Sequence, residues 1–305
     1  MPRVTVLLTS YNHGSFIGAA IQSVLEQTFS DWELLIVDDC SQDNSWETIH
    51  YWQTKDSRII AVRNSCRMGP EHAFRVMDEK ASGEYVAVFH SDDLWDPIKL
   101  EKQVAFLEAH TEIGAVFTGV KIIDETGRPR SKEIQDTYTS CFLTDNRTRH
   151  QWLNYFFYHG NALCHPSVLI RRELYRQCGL FLEGLAQGPD FCKWIRLCMS
   201  QEIYILSDKL TYYRVLREEG NTSANTRKNQ MRSYLELLFI YRPYFEMEME
   251  ELAAVFPQAQ RYITGQGADA AFAAAKLFLE EGYTESMKLL GLEKLYELLN
   301  QDSSR

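Results

Sequence analysis

A short apolar run that ends in paired carboxylates constrains this chain more than any other feature. Gly83-Glu84 leads into Tyr85-Val86-Ala87-Val88-Phe89, and His90-Ser91-Asp92-Asp93 follows. The run is rich in β-branched and aromatic residues, the pattern of a buried strand. In an open α/β sheet, ligands bind at the carboxyl ends of the strands. Two adjacent acids there suit a hard divalent cation that bridges to phosphate oxygens. The competing reading is local: Asp92 and Asp93 cap a helix that starts near Pro97.

The same unit recurs upstream. Val4–Leu8, Glu33–Val37 and Arg58–Val62 read as strands. Between them, Ser15 is placed to cap a helix whose apolar residues Ile17, Ala20, Ile21, Val24 and Leu25 share one face. Further helices are expected over Asn44–Gln53 and Glu71–Lys80. This is β-α-β-α-β-α-β, the order of a parallel sheet with helices on both faces. The polar clusters Thr9 to Asn12, Asp38-Asp39 and Asp92-Asp93 then fall along one sheet edge and form a single cleft. The glycine fingerprint of dinucleotide folds is missing after the first strand, and no P-loop is present. A cleft built from Asp suggests phosphate bound through a metal, with a base or ribose held by carboxylates.

Of 305 residues, 45% are hydrophobic, enough for a sizeable core. The net charge of −10 argues against nucleic acid as a partner. The apolar runs are far shorter than the ~18 residues of a membrane-span candidate. Met1-Pro2-Arg3-Val4 enters a strand without a signal-peptide core, so cytoplasmic residence is the default expectation. The seven cysteines are scattered, with no C-x-x-C pair, and read as reduced thiols.

Farther on, a helix is expected from about Asp96 to His110 and one or two strands over Gly114–Asp124. Residues 125–150 lack periodicity and read as a loop, either a lid or a plain insertion. Trp152–Tyr158 and Arg171–Cys178 read as helices, the latter stopped by Gly179. Val168–Ile170, Ile203–Leu206 and Leu210–Val215 read as strands. Pro189-Asp190 suits the first turn of another helix. From about residue 226 the chain is helical, with apolar stripes at Met231, Tyr234, Leu235, Leu238, Tyr241 and at Leu292, Leu295, Tyr296, Leu299. These stripes pack on each other or on the rest of the chain, or else face a second subunit or a membrane surface.

Five pieces occur in one order: Val6-Leu7-Leu8-Thr9-Ser10-Tyr11-Asn12, Leu25-Glu26-Gln27-Thr28-Phe29, Leu35-Ile36-Val37-Asp38-Asp39-Cys40-Ser41, Gly83-Glu84-Tyr85 and Ser91-Asp92-Asp93. In this the chain resembles the family 2 glycosyltransferases, inverting enzymes of the GT-A fold that use nucleotide-sugar donors. The resemblance is clear over residues 3–125 and continues through His165-Pro166-Ser167, Asp190 and Tyr213-Arg214. It implies an α/β fold of GT-A type, with a Rossmann-like, mostly parallel central sheet flanked by helices. A catalytic domain over residues 1–225 would hold a nucleotide half (1–125) and an acceptor half (126–225), with 226–305 as an α-helical appendage.

Carried over by position, Thr9, Ser10, Tyr11 and Asn12 would line the nucleoside pocket. Asp39 would accept a hydrogen bond from the base, favouring UDP- or dTDP-sugars. Asp92 would touch ribose or metal, Asp93 would coordinate Mn²⁺ or Mg²⁺ on the diphosphate, and Asp190 would be the catalytic base. The acceptor would be a hydroxyl of a surface saccharide or glycolipid, placing the enzyme in the cytoplasm or peripherally at the inner membrane face. Contact with that membrane or with a second copy would run through residues 226–305.

The chain also departs from the family. Ala73-Phe74-Arg75-Val76 stands where Arg-Asn is common, and Pro189 rather than Glu precedes Asp190. Leu216 stands where the family often has a histidine after Tyr-Arg, leaving Arg217 or Asn221 to supply a phosphate contact. His13, His72, His90 and His165 each invite a catalytic reading against the commoner packed or exposed one. The absence of Q-x-x-R-W and of membrane helices favours a single addition over processive synthesis. A sugar nucleotidyltransferase, or a binding protein that lost catalysis, is the competing class.

Overall fold

The computed structural model describes residues 1–130, 142, 144–179, 184–216, 226–262 and 270–301. Arg217, Asn221 and most of the 131–143 stretch, where lid and phosphate-contact roles were expected, lie outside these described residues. The chain forms two compact units. The first comprises Met1–Asn146, Ala162–Glu183 and Glu202–Asn221; the second comprises Arg147–Asn161, Gly184–Gln201 and Thr222–Arg305.

The first unit is built on one eight-stranded sheet. Its strands are β1 (Val4–Ser10), β2 (Trp32–Asp38), β3 (Ile59–Arg63), β4 (Tyr85–His90), β5 (Leu94–Trp95), β6 (Ile113–Ile123), β7 (Leu169–Arg171) and β8 (Glu202–Arg214). They lie in the order β3-β2-β1-β4-β7-β6-β8-β5. The first four are mutually parallel, as the alternating pattern requires. Helices α1 (Ile17–Leu25), α2 (Ser45–Lys55), α3 (Pro70–Lys80) and α4 (Lys99–Ala109) link the strands through β6. Strands buried on both faces read as continuous Val/Ile/Leu runs. Accordingly, Val4, Val6, Leu8, Leu34, Ile36, Ala87 and Phe89 share one core with Ile17, Ile21 and Val24 of α1. Gly83 enters β4 so close to β1 that a Cβ there would lie 2.5 Å from the Thr5 amide nitrogen.

The other half of the sheet is mixed. β7 is antiparallel to both β4 and β6, β8 is parallel to β6, and β5 is antiparallel to β8. The two strands expected after residue 202 are one continuous β8, whose register against β6 shifts between Thr118 and Val120. A short helix α5 (Arg172–Gln177) follows β7 and ends before Gly179, at a φ of 81°.

Two expected caps are not formed. Ser15 makes no cap bond to α1, because the amides of Phe16 and Ile17 donate to the His13 carbonyl. Asp92 and Asp93 do not cap the next helix. β5 intervenes, and α4 begins only at Lys99, whose amide donates to the Asp96 carbonyl. The local reading of the paired acids therefore fails.

The second unit is helical: α6 (Arg149–His159), α7 (Pro189–Cys198), α8 (Arg227–Ile240), α9 (Met249–Val255), α10 (Ala270–Glu281) and α11 (Glu285–Gln301). Thr148 and Gln151 close a capping box on α6. Its core is aromatic. Phe157 packs edge-to-face on Tyr241, Phe256 and Phe278, while Tyr241 and Tyr244 donate to the carbonyls of Phe156 and Leu153. Buried phenols need such partners. The stripes of α8 and α11 are only partly covered: Ser286 of α11 donates to the Tyr234 carbonyl of α8, but Met231, Leu235, Leu292 and Tyr296 remain exposed. Among the described residues no helix is long and apolar enough to cross a membrane.

Candidate active site

Parallel pairing fixes where the polar clusters fall. Ser10 stands opposite Asp38 and Thr9 opposite His90, so the ends of β1, β2 and β4 share one edge. The turn after β1 is pinned by the turn after β2. The amides of Asn12, His13 and Gly14 donate to Ser41 Oγ, Ser45 Oγ and Asp43 Oδ2, and Asn12 Oδ1 accepts from the Gln42 amide at 2.8 Å. Asn12 and Cys40 are held in the left-handed region, with φ of 51° and 63°. Such backbone is sparsely populated for non-glycine residues and persists where surrounding bonds determine it.

Ser10 is 3% exposed, and its hydroxyl has no hydrogen-bond partner among the described residues. The half-buried Tyr11 ring carries the Arg67 guanidinium 4.2 Å above it. The Asp39 amide donates to the Ser10 carbonyl, and the Asp39 carboxylate accepts three bonds: from Asn64 Nδ2 (2.8 Å), the Met68 amide (2.7 Å) and the Gly69 amide (2.8 Å). Asp39 thus holds the segment leading into α3, and three donors leave limited lone-pair capacity for a nucleobase. Asp38, fully buried, accepts from the amide and hydroxyl of Ser41 and shapes the same turn.

At the end of β4, Asp92, Asp93 and His90 each place one ligand atom within 4.8 Å of the others. Asp93 is 1% exposed. Its Oδ1 accepts from the Arg214 amide at 2.8 Å, while Oδ2 has no hydrogen-bond partner among the described residues. Burial, and then the neighbouring Asp92 charge, pushes the Asp93 carboxyl well above the usual carboxylate range. A buried carboxylate oxygen without a donor is costly. A divalent cation removes that penalty, and two carboxylates with an imidazole form a suitable donor set. Burial depresses the basicity of His90, which favours the neutral imidazole that binds metals.

Arg214 fixes this turn. Besides its amide bond to Asp93, its side chain donates to the carbonyls of Asp92 (2.6 Å), Asp124 (2.7 Å) and Glu125 (2.9 Å). Tyr-Arg was legible as a motif, but its bracing of the acids was not. Of the four histidines, three come together: His13 Nδ1 lies 2.7 Å from Ser91 Oγ, and His90 Nε2 lies 3.3 Å from His165 Nδ1. His72 sits on α3 with no hydrogen bond to that group among the described residues.

In the second unit, Asp190 occupies the first turn of α7, directly after Pro189 at the helix start. Its Oδ2 accepts from Asn161 Nδ2 at 3.0 Å. Burial raises its pKa to about 6, against a smaller lowering by the Phe191 amide and Asn161. The approach to α7 is anchored by Glu236 of α8. This 4%-exposed carboxylate accepts from the amides of Ala186 (2.7 Å), Gln187 (2.8 Å) and Gly188 (3.0 Å), and Arg232 donates to it at 2.8 Å. Sequence reasoning missed Glu236, which reads as an ordinary polar position on an amphipathic helix.

The sequence profile of Glycosyl transferase family 2 matches residues 5–175. The putative teichuronic acid biosynthesis glycosyltransferase TuaG of Bacillus subtilis is 37% identical over 242 residues, spanning 79% of this chain and 88% of that one. Among solved structures, S. aureus TarS 1–349 in complex with UDP-GlcNAc aligns with a TM-score of 0.64 at 19% identity, covering 96% of this chain and 79% of that one. The mannosyltransferase PcManGT from Pyrobaculum calidifontis, in complex with GDP-Man and Mn²⁺, aligns with a TM-score of 0.58 at 20% identity, covering 97% and 81%. The structural likeness is one of fold: the mixed sheet with flanking helices is of GT-A type.

Proposed function

The chain belongs to glycosyl transferase family 2, and from that premise we propose that it transfers one sugar, with inversion, from a nucleotide diphosphate sugar to an acceptor hydroxyl. Family membership sets aside the sugar nucleotidyltransferase class. The observation that carries the proposal is the buried Asp93 Oδ2, without a hydrogen-bond partner among the described residues, beside Asp92 and His90 at a strand end. Asp93, with Asp92, would hold Mn²⁺ or Mg²⁺. When bound, the cation would neutralise charge developing on the departing diphosphate. Thr9, Ser10, Tyr11 and Asn12 would line the nucleoside site, and the orphan Ser10 hydroxyl offers a hydrogen bond there. Asp39 would accept from the base or, given its three protein donors, hold the wall against which the base lies. A UDP- or dTDP-sugar donor is favoured by that carboxylate at the end of β2.

Asp190 would take the proton of the attacking hydroxyl. A carboxylate with a pKa of about 6 is deprotonated at neutral pH and is a stronger base than an ordinary aspartate. Asn161 would orient it. The acceptor would be a saccharide or glycolipid of a surface polysaccharide, in line with the name of TuaG. The test is calorimetry with UDP, dTDP, GDP and ADP, with Mn²⁺ and with chelator, followed by turnover with the donor that binds. Metal-dependent binding of UDP or dTDP supports the reading. Equal affinity for all four diphosphates removes the base-recognition role.

A further inference from the structure

We propose that His90 is a nitrogen ligand of the metal site, held in that role by His165, and that it makes the site select Mn²⁺ over Mg²⁺. This rests on the reading of Asp92 and Asp93 as metal ligands. His90 Nδ1 lies 3.7 Å from Asp93 Oδ2. That is too long for a hydrogen bond. Two ligand atoms about 2.1 Å from one ion lie roughly 3 Å apart when adjacent and about 4.2 Å apart when opposite. The observed spacing falls between these limits, and the Asp93 oxygen concerned is the buried one without a partner among the described residues.

The second ring nitrogen fixes the tautomer. His90 Nε2 is 3.3 Å from Nδ1 of His165, a 9%-exposed residue that packs against Phe74 with ring centroids 5.9 Å apart. When Nε2–H donates to His165, the lone pair of Nδ1 faces Asp93. A metal-bound histidine ordinarily donates its other N–H in this way, which fixes ring orientation and raises ligand basicity. His13 is less suited, because its Nδ1 is engaged by Ser91 Oγ at 2.7 Å. Mg²⁺ is a hard ion that takes oxygen ligands, whereas imidazole suits transition metals. One nitrogen among carboxylates therefore shifts preference toward Mn²⁺.

Pulsed EPR on the full chain loaded with Mn²⁺ and UDP tests this directly. Wild type should show ¹⁴N couplings of a bound imidazole, and His90→Asp, which replaces nitrogen by a carboxylate, should lose them. By calorimetry with UDP present, wild type should bind Mn²⁺ at least about tenfold more tightly than Mg²⁺, and His90→Asp should narrow that ratio. His165→Asn should weaken Mn²⁺ binding by about 10-fold or more. Bound Mn²⁺ without nitrogen coupling, or coupling that persists in His90→Asp, overturns the inference and leaves metal-dependent donor binding standing. UDP binding indifferent to Mn²⁺ overturns both.

Discussion

Asp190→Asn separates catalysis from stability in a way the structure quantifies. The carboxyl has a pKa of about 6 in the folded chain because burial disfavours its charge. An unfolded aspartate titrates near 3.9. The folded state therefore holds the proton more tightly, and stability falls as pH rises from about 4 to about 6. About 2 units correspond to roughly 3 kcal/mol, an upper bound on what the ionised group costs at pH 7 and above. Asparagine keeps the shape and can still accept from Asn161 through its carbonyl oxygen, but it carries no charge. Chemical denaturation should find Asp190→Asn more stable than wild type by about 1–3 kcal/mol at pH 8, with that gain disappearing at pH 4. Turnover should fall by ~10²-fold or more, with UDP affinity within about twofold. In wild type, kcat/KM should rise through pH 6 to a plateau, since the base works deprotonated. A stability difference that does not change with pH refutes the burial argument. Near-normal transfer by the variant refutes the base assignment and directs attention to Glu173 and Asp208; Glu183, a further substitute, lies outside the described residues.

Asp93→Asn should keep the fold and lose metal-dependent UDP binding, as should chelation of wild type; chelated enzyme that turns over normally contradicts the metal assignment. Asp39→Ala should weaken UDP binding by about 1–3 kcal/mol in calorimetry, through both the lost acceptor and the freed amides of Met68 and Gly69. Glu236→Gln should lower kcat while leaving donor affinity unchanged, because it disturbs the amides leading into α7 and not the strand ends; an unaltered kcat in a folded variant sinks that role. A chain ending near residue 223 should retain UDP binding if it folds, since the candidate nucleotide and metal residues all lie in the first unit, but it should aggregate more readily. That truncation strips Tyr241 and Tyr244 from the carbonyls of Phe156 and Leu153.

The parallel half of the fold was legible because one physical signal repeats in it. Doubly buried strands leave apolar runs, and turns at their carboxyl ends leave polar clusters; β1, β2 and β4 show both. The mixed half was less legible. β7 was expected within a residue of its place, but nothing in its three residues announced antiparallel pairing; β5, only two residues long, was missed; and β8 was broken in two because its middle positions, Ser207 to Lys209, are polar and exposed. The bracing of the site was least legible. Asp93 Oδ1, the Asp39 oxygens and Glu236 are all engaged by backbone amides, 121, 29 to 30 and 48 to 50 residues away. An amide donor exists at every residue except proline, so no side-chain pattern announces which will be used.

The two acids on which the proposed chemistry turns differ from other carboxylates in this chain by what they lack. Asp56 and Glu251 have arginine partners: the Arg58 hydrogen bond holds Asp56 below the ordinary range, and at Glu251 burial is outweighed by hydrogen bonds from Arg149 and His150, so it too is lowered. Such groups are satisfied, and a satisfied carboxylate has little tendency to bind a cation or take a proton. Asp93 and Asp190 are raised instead, in both cases chiefly by burial. Among the described residues, Asp93 keeps one oxygen without a donor, and the side chain that donates to Asp190 is the amide of Asn161 rather than a cation. Each charge is thus left incompletely compensated by the protein. A metal ion at the first and a hydroxyl proton at the second would supply the compensation, which is how perturbed carboxylates come to mark functional positions.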